Sequence, residues 1–278
     1  MKPTEVDTVF NLAPVPEIRL ARAPLEKVLT QVQFSRAPAL VSDEGEERLA
    51  AVLGRYPVRR QAMALNLVVG LGAAPIDQKS SPTWVFANPS QSWQVTVSDT
   101  SVGLETTEYD SRDDFCQRAR EAFDAVSSVD LPPIVDRVGL RYVDRLRGDN
   151  DLGRLGDYVT SRLCVLHGAV DVDLPIEHSV TETVIRIADD ERLKVRSGLL
   201  PPGALFDPVL LPASEPTWVL DIDVFTSRGG FPFDPASLEE RLRRYAEHAY
   251  SFFRWATTDA FQRDFQASRK DGATRSAL

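Results

Sequence analysis

The segment RVGLRYVDRL, residues 137–146, decides the fold, because its side chains alternate as they do in a half-buried β-strand. One side of such a strand is mainly apolar and carries Val138, Leu140, Tyr142, Asp144 and Leu146. The other side carries an arginine at every fourth position, in the set Arg137, Gly139, Arg141, Val143 and Arg145. The alternation therefore predicts a strand with its apolar side on a core and a row of arginines on the opposite side.

The predicted elements around this strand repeat in the two halves of the chain, with a period of about 110 residues. Each half is predicted as β-α-β-β-β-α; the first half has one additional strand, and the second has the proline-rich segment 201–216. The two longest predicted helices, 111–127 and 235–256, begin at capping residues and carry apolar stripes at helical spacing. We therefore expect an α+β fold of two similar halves, in which a curved antiparallel sheet packs on two long helices.

Turn signals and composition predict how the chain is divided. Residues 1–23 are dotted with prolines and lack periodicity, which predicts an extended arm. The first α+β half is expected at 24–130 and the second at 134–260, and a polar tail is expected at 261–278.

Composition and charge favour some classes of protein over others. The chain has 278 residues, 43% of them hydrophobic and 26% charged, as in ordinary globular proteins. Its formal charge of −9, without a long basic run, makes nucleic acid an unexpected partner. Its longest apolar stretch is too short to cross a bilayer, and its first residues lack the apolar centre of a signal peptide. With two cysteines far apart, Cys116 and Cys164, we expect a reduced, cytoplasmic protein without membrane contact.

The sequence contains no recognised arrangement of catalytic or metal-binding residues. The three histidines, His167, His178 and His248, have no zinc-site spacing to one another or to the cysteines. The segment GLGAAP at 70–75 lacks the third glycine of a dinucleotide-binding loop and is predicted to be a connection. We expect no cofactor and no metal, and we favour a protein that is not an enzyme without deciding the point.

The arginine row suggests two interpretations. Charged residues also lie on single faces of other predicted strands, and these are Glu105, Glu182, Arg186, Arg192, Lys194, Arg196, Asp221 and Asp223. In one interpretation, acids and bases pair across strands of a solvated sheet face. In the other, Arg137, Arg141 and Arg145 clamp a peptide, nucleotide or anionic metabolite in a polar groove. The near balance of acids and bases favours pairing, since a phosphate clamp would leave arginines unpaired.

Several segments resemble a known protein family. They are PLEKVLTQVQF (24–34), WQVTVSDTSVGLETTEYDSRDDF (93–115), RVGLRYVDRL (137–146) and the aromatic C-terminal helix. Together, across residues 20–260, they resemble a sporadically distributed prokaryotic family of roughly this length whose function is unassigned. The family pattern has Asn after its Arg-Tyr-hydrophobic unit, whereas this chain has Asp144, so no ligand-reading amide is expected there. The resemblance supplies no catalytic residues, and sporadic distribution implies accessory genes, such as those of defence islands, mobile elements or specialised biosynthetic clusters.

The order of elements also resembles the two-repeat saddle of TATA-box-binding-protein-like folds and, more loosely, helix-grip proteins. In those folds, one face of the sheet packs on helices and the other stays open to a partner. We therefore expect a non-enzymatic accessory protein that engages a protein or peptide partner through an open sheet face. The alternative is a binder of a small anionic ligand or nucleotide, with or without enzymatic activity. Its groove would use Arg137, Arg141, Arg145, Arg186, Glu105, Asp221 and Asp223. The sequence leaves the oligomeric state open.

Overall fold

All strands of the described chain join in one open antiparallel sheet. The computed structural model describes residue 18 and residues 20–64, 81–163 and 176–266. The sheet has nine strands within this part of the chain: β1 (Leu25–Phe34), β2 (Val58–Ala64), β3 (Ser81–Ala87), β4 (Trp93–Ser98), β5 (Ser101–Thr106), β6 (Val135–Arg147), β7 (Ser179–Arg186), β8 (Glu191–Leu200) and β9 (Thr217–Thr226). Their order across the sheet is β2-β3-β4-β5-β1-β6-β9-β8-β7. The predicted α+β class and antiparallel sheet are confirmed.

Six helices lie between and after these strands in the described residues. They are α1 (Asp43–Val52), α2 (Arg112–Val129), α3 (Gly148–Leu152), α4 (Leu155–Tyr158), α5 (Pro235–Ala256) and α6 (Asp259–Gln266). Helix α2 begins where Ser111 accepts the N–H of Asp114, and α5 begins where Asp234 accepts the N–H of Ser237. Proline at the first position of α5 costs no hydrogen bond there, since that N–H has no helical partner. No helix of the described chain is long and apolar enough to cross a bilayer.

The core lies between one face of the sheet and the helices α2 and α5, which pack on each other. Strand β6 contributes Val138 and Leu140 to it, both completely buried, from the side that the alternation predicted. Helix α2 contributes Phe115 and Phe123, and α5 contributes Leu242. We call this side of the sheet the helix face. The opposite side, which carries Arg137, Arg141 and Arg145, is called the arginine face.

The arginine face is less open than the sequence suggested, because the proline-rich segment 201–216 lies against part of it. Leu210 packs with Val143 and Val219 in a small second apolar cluster, which also includes Leu200. Phe206 lies on the guanidinium of Arg196, 4.5 Å from the ring centroid. The segment covers this part of the sheet because burying Leu210 and Phe206 removes apolar surface from water.

Two segments differ from the prediction. The pattern of DLGRLGDYVTSRL, residues 151–163, predicts one helix, whereas the structure has the two short helices α3 and α4, separated at Gly153 and Arg154. Glycine inside a helix costs about 1 kcal/mol, and this stretch contains Gly153 and Gly156. Residues 261–266, expected in the polar tail, belong to α6, whose Phe261 and Phe265 pack edge-on against the Tyr158 ring. Such a short helix depends on tertiary contacts, which local periodicity does not reveal.

Several predicted features lie outside the described residues. They are most of the N-terminal arm (1–17), the end of the predicted strand 58–70, the connection 70–75, Cys164, His167 and the tail beyond 266. The described part of the arm contacts helices of the folded chain. Arg22 lies 3.4 Å from Asp151 and 4.4 Å from the centroid of the Phe265 ring.

Candidate functional site

Arg141 lies at the centre of a four-residue ion-pair network on the arginine face. Its Nε and Nη2 donate to the two carboxylate oxygens of Asp221, at 2.7 and 3.1 Å. Arg196 of β8 donates from Nε to Asp221 at 2.7 Å and from Nη2 to Asp207 at 2.7 Å. Arg141 also lies 3.2 Å from Asp207, which closes the network. Two arginines and two aspartates balance, so these arginines hold no free positive charge for a phosphate or carboxylate ligand.

Sheet register explains which acid Arg141 contacts. Asp223 is the residue directly opposite Arg141 on β9, and Asp221 is opposite Val143. Arg141 nevertheless pairs with Asp221, its diagonal neighbour, which is also directly opposite Arg196 on β8. Diagonal neighbours remain within reach of long side chains such as arginine. Asp221 therefore accepts hydrogen bonds from strands on both of its sides.

The pKa values in the network reflect the balance between burial and pairing. Although burial alone lowers the pKa of Arg141, the charges of Asp221 and Asp207 outweigh it, and the pKa is raised. Burial alone likewise raises the pKa of Asp207, but the charge of Arg141 and the hydrogen bond from Arg196 lower it to about 2. Both shifts favour the charged forms, so Arg141 and Asp207 stay ionised at neutral pH.

The other arginine-face residues singled out from the sequence are mostly paired as well. Asp223 lies 3.4 Å from Arg137 and 3.9 Å from Lys194. Arg145 lies 3.2 Å from Glu26 and donates to the carbonyl of Leu211 at 2.9 Å. Glu105 lies 3.1 Å from Lys27 and does not contact the arginine row. Arg186 stands apart on β7, the last strand of the sheet. A role for any of these residues in binding a ligand or partner remains a prediction.

Sequence reasoning missed Asp207, which belongs to the proline-rich segment 201–216. Strand alternation predicted that Asp221 shares a face with the arginines, but alternation has no bearing on a loop. The side chain of Asp207 also accepts the N–H of Val209 at 3.0 Å, which fixes a turn before the buried Leu210. The local Asp-Pro pair indicates a turn and gives no signal of the ion pairs that Asp207 makes with the sheet.

A cavity of about 500 Å³ lies on the helix face, between the sheet and α5. This volume is within the range of small-molecule sites. Its lining includes the aromatic rings of Tyr109, Tyr142, Tyr250 and Phe253, and the small residues Ala246 and Ala249 of α5. The rings of Tyr109 and Tyr142 meet edge-on, with centroids 5.8 Å apart. Residues Ile18, Leu20 and Ala23 of the N-terminal arm line the cavity from another side.

Asp144 of β6 contributes a buried carboxylate to this cavity. The residue is only 5% exposed and lies between Leu25 of β1 and Leu220 of β9. Within the described chain, its side chain makes no hydrogen bond and no ion pair. Burial, followed by the nearby charge of Asp221, raises the pKa of Asp144 to about 7. A strongly shifted carboxyl group in an aromatic cavity marks a candidate binding site.

The sequence contained a signal for Asp144 that was not used. In RVGLRYVDRL, Asp144 is the one acid on the side that otherwise carries Val138, Leu140, Tyr142 and Leu146. An ionisable residue on a core-facing strand position is costly unless it is paired or has a role. The position alone therefore indicates that Asp144 either has a function or has a partner elsewhere in the fold.

The wider surroundings of the cavity are acidic. Glu108 and Asp110 line it together with Asp144, and Arg112 is the basic residue among the described residues that line it. Arg112 lies 3.5 Å from Glu247 of α5, which partly neutralises its positive charge. Among the described residues, no three His, Cys, Asp or Glu side chains converge as metal ligands.

No family model matches this chain, and no curated protein matches it. The resemblance to the sporadically distributed prokaryotic family therefore stays a prediction.

Proposed function

We propose that this protein binds a small organic cation in the cavity between the sheet and α5. The observation that carries the proposal is the carboxyl group of Asp144, which lines the cavity, is 5% exposed and has no partner in the described residues. An unpaired buried acid costs free energy unless a ligand offers a positive charge or a hydrogen-bond donor. The ligand site that we propose is therefore on the helix face, whereas the sequence predicted a site on the arginine face.

The cavity lining supports an amine with an apolar body. Tyr109 and Tyr142 can contact a cation through their ring faces or an aromatic ligand through edge-on packing. Ile222 and Phe253 add apolar surface. Glu108 and Asp110 add negative charge, which attracts a cation before it reaches Asp144. A ligand with one ammonium group and a ring or branched alkyl chain fits this combination.

Binding, without catalysis, is the activity that we propose for the cavity. Of the described residues that line it, none is a histidine or a cysteine. Ser111 lines the cavity too, but its hydroxyl accepts the N–H of Asp114 as the cap of α2. A nucleophilic serine would need a base within hydrogen-bond reach.

We predict that phenethylamine binds and that its affinity depends on pH. Because the pKa of Asp144 is about 7, the group is mostly protonated at pH 5 and mostly ionised at pH 8. An ammonium prefers the ionised form, so affinity should rise about tenfold per pH unit up to pH 7 and then level off. Calorimetric titration at several pH values measures the affinity for phenethylamine. The anion 3-phenylpropionate, with a similar body and the opposite charge, should bind at least about tenfold more weakly.

The matched variants for this titration are Asp144→Asn and Asp223→Asn. Asp144→Asn should abolish the preference for phenethylamine over 3-phenylpropionate. It should also abolish the pH dependence of phenethylamine binding. Asp223→Asn removes a buried carboxylate on the opposite face of the sheet and should leave amine binding unchanged. Equal binding of the amine to the parent and to Asp144→Asn, or no binding of amines by the parent, would reject the proposal.

A second candidate function is that of an accessory protein engaging a protein or peptide partner on the arginine face. Two exposed leucines of the segment 201–216, Leu205 and Leu211, support it, because large apolar side chains exposed beside a sheet face favour an interface. Accessory genes of defence or biosynthetic clusters are the setting that we propose for such a partner.

We predict that affinity purification from the native host recovers a product of a neighbouring gene. Changing Leu205 and Leu211 together to serine should abolish recovery, because it removes the exposed apolar surface without touching the ion pairs. Leu131→Ser, which alters an exposed leucine between α2 and β6, is the matched control and should retain the partner. Recovery that is unaffected by the double variant would place the partner elsewhere.

We further propose that the two halves of the chain, 24–130 and 134–260, are structurally equivalent. The sheet order supports this: β1 and β6 pair at the centre, β5, β4 and β3 continue on one side, and β9, β8 and β7 on the other. Strand β2 is then the additional strand of the first half.

We also propose a reduced, cytoplasmic setting for the protein. The thiol of Cys116 is buried, and burial raises its pKa to about 11, which suits an unreactive core cysteine.

A further inference from the structure

Strand β7 is an edge strand that neither a proline nor a bulge interrupts. It forms the last strand of the sheet and pairs only with β8 among the described strands. No proline and no register shift interrupts its eight residues, and its sequence, SVTETVIR, has high β-propensity. Val184 is 54% exposed. Natural proteins usually blunt such an edge, because its free N–H and C=O groups can pair with another strand.

The charges on β7 lack ion-pair partners in the part of the chain that the structure describes. Glu182 and Arg186 make no ion pair in the described residues. Arg186 also lies directly opposite Arg192 of β8, which places two positive charges side by side. Like charges directly opposite each other destabilise a sheet. An acid from a second molecule placed opposite Arg186 would offset this repulsion.

We propose that β7 pairs antiparallel with β7 of a second copy of this protein, with the two-fold axis at Val184. In that register, Glu182 of each copy lies opposite Arg186 of the other, because both residues are two positions from the axis. The two charge pairs form on one face of the joined sheet, and the two Val184 side chains meet between them. A register centred on Glu182 or Arg186 would place like charges on the axis.

This surface is self-complementary, as an interface between identical subunits requires. The contact joins the two sheets into one continuous sheet and pairs the free backbone N–H and C=O groups of both β7 strands. The contact involves none of the residues that line the cavity. The dimer proposal can therefore be tested independently of amine binding.

Charge-swap variants and sedimentation velocity test the pairing. The parent protein should sediment as a dimer of twice 30.9 kDa, about 62 kDa, in equilibrium with the monomer. Glu182→Arg alone and Arg186→Glu alone each place like charges in both pairs and should weaken dimerisation about tenfold or more. The double variant E182R/R186E restores opposite charges and should dimerise like the parent. A mixture of the two single variants should form mixed dimers.

Cysteine cross-linking tests the register. Val184→Cys should form an inter-subunit disulfide on oxidation, since residue 184 lies opposite itself across the axis. Val180→Cys, on the same strand and face, should not, because its opposite residue is Ala188. The parent, which retains its own two cysteines, measures the background. A parent that stays monomeric at the highest concentrations that remain in solution, or a dimer that is as stable in both single charge variants as in the parent, would overturn the proposal.

Discussion

Arg141→Ala is expected to lower the free energy of unfolding by about 2–4 kcal/mol. The Arg141 side chain is 14% exposed and that of Asp221 is 1% exposed, so the substitution removes a charge partner from a nearly inaccessible carboxylate. Asp221 keeps its bonds to Arg196, which limits the loss. Asp207 also loses a partner, and the segment 201–216 should exchange its amide hydrogens faster. Urea unfolding of parent and variant measures the difference.

Arg137→Ala is the matched control on the same strand. The Arg137 side chain is 32% exposed, and its ion pair to Asp223 spans 3.4 Å. Asp223 is buried, but it keeps Lys194 at 3.9 Å, and the Arg137 contact is longer and more exposed than that of Arg141. The loss should therefore be smaller, about 1 kcal/mol. The Arg141 effect should also persist in high salt, because buried pairs are weakly screened. If Arg141→Ala were no more destabilising than Arg137→Ala, the network would not be a structural element, and the arginine row would again be a candidate ligand clamp.

Asp144→Asn is expected to raise the free energy of unfolding at pH 8 by about 2–4 kcal/mol. The pKa of Asp144 is raised from its ordinary value of 3.8 to about 7 in the folded protein. Between these values, the folded protein holds a proton that the unfolded chain has lost, so the parent loses stability as the pH rises from about 4 to 7. Asparagine carries no charge at any pH and avoids this cost.

The sign of the effect distinguishes a binding residue from a structural one. Parent and Asp144→Asn should have equal stability at pH 4 and diverge as the pH increases, with the variant the more stable. Asp189→Asn, which removes an exposed carboxylate in the turn before β8, should show no divergence. A variant that is less stable than the parent at pH 8 would mean that the Asp144 carboxylate stabilises the fold, against its assignment as a ligand group. Stability that is gained while amine binding is lost is the signature of a functional site.

The sequence predicted the local features of this protein because they depend on neighbouring residues. Alternation in RVGLRYVDRL placed Val138 and Leu140 on the buried side and Arg141 on the other, since strand side chains point to opposite faces in turn. The start of α5 followed from Asp234 and Pro235, whose effects on the first helical turn are local. Alternation in TWVLDIDVF likewise placed Asp221 and Asp223 together on one face.

Which groups meet was decided by the tertiary structure. Arg141 reaches Asp221 and Asp207 only because β9 lies beside β6 and the segment 201–216 folds back over that face, at sequence separations of 80 and 66 residues. The cavity exists because Ala246 and Ala249 leave space opposite Tyr142, with the N-terminal arm closing one side. Asp144 was visible in the sequence as an acid on an apolar face, but its lack of a partner among the described residues depends on packing between distant segments. Periodicity specifies the direction of a side chain, and only the assembled fold specifies what lies in that direction.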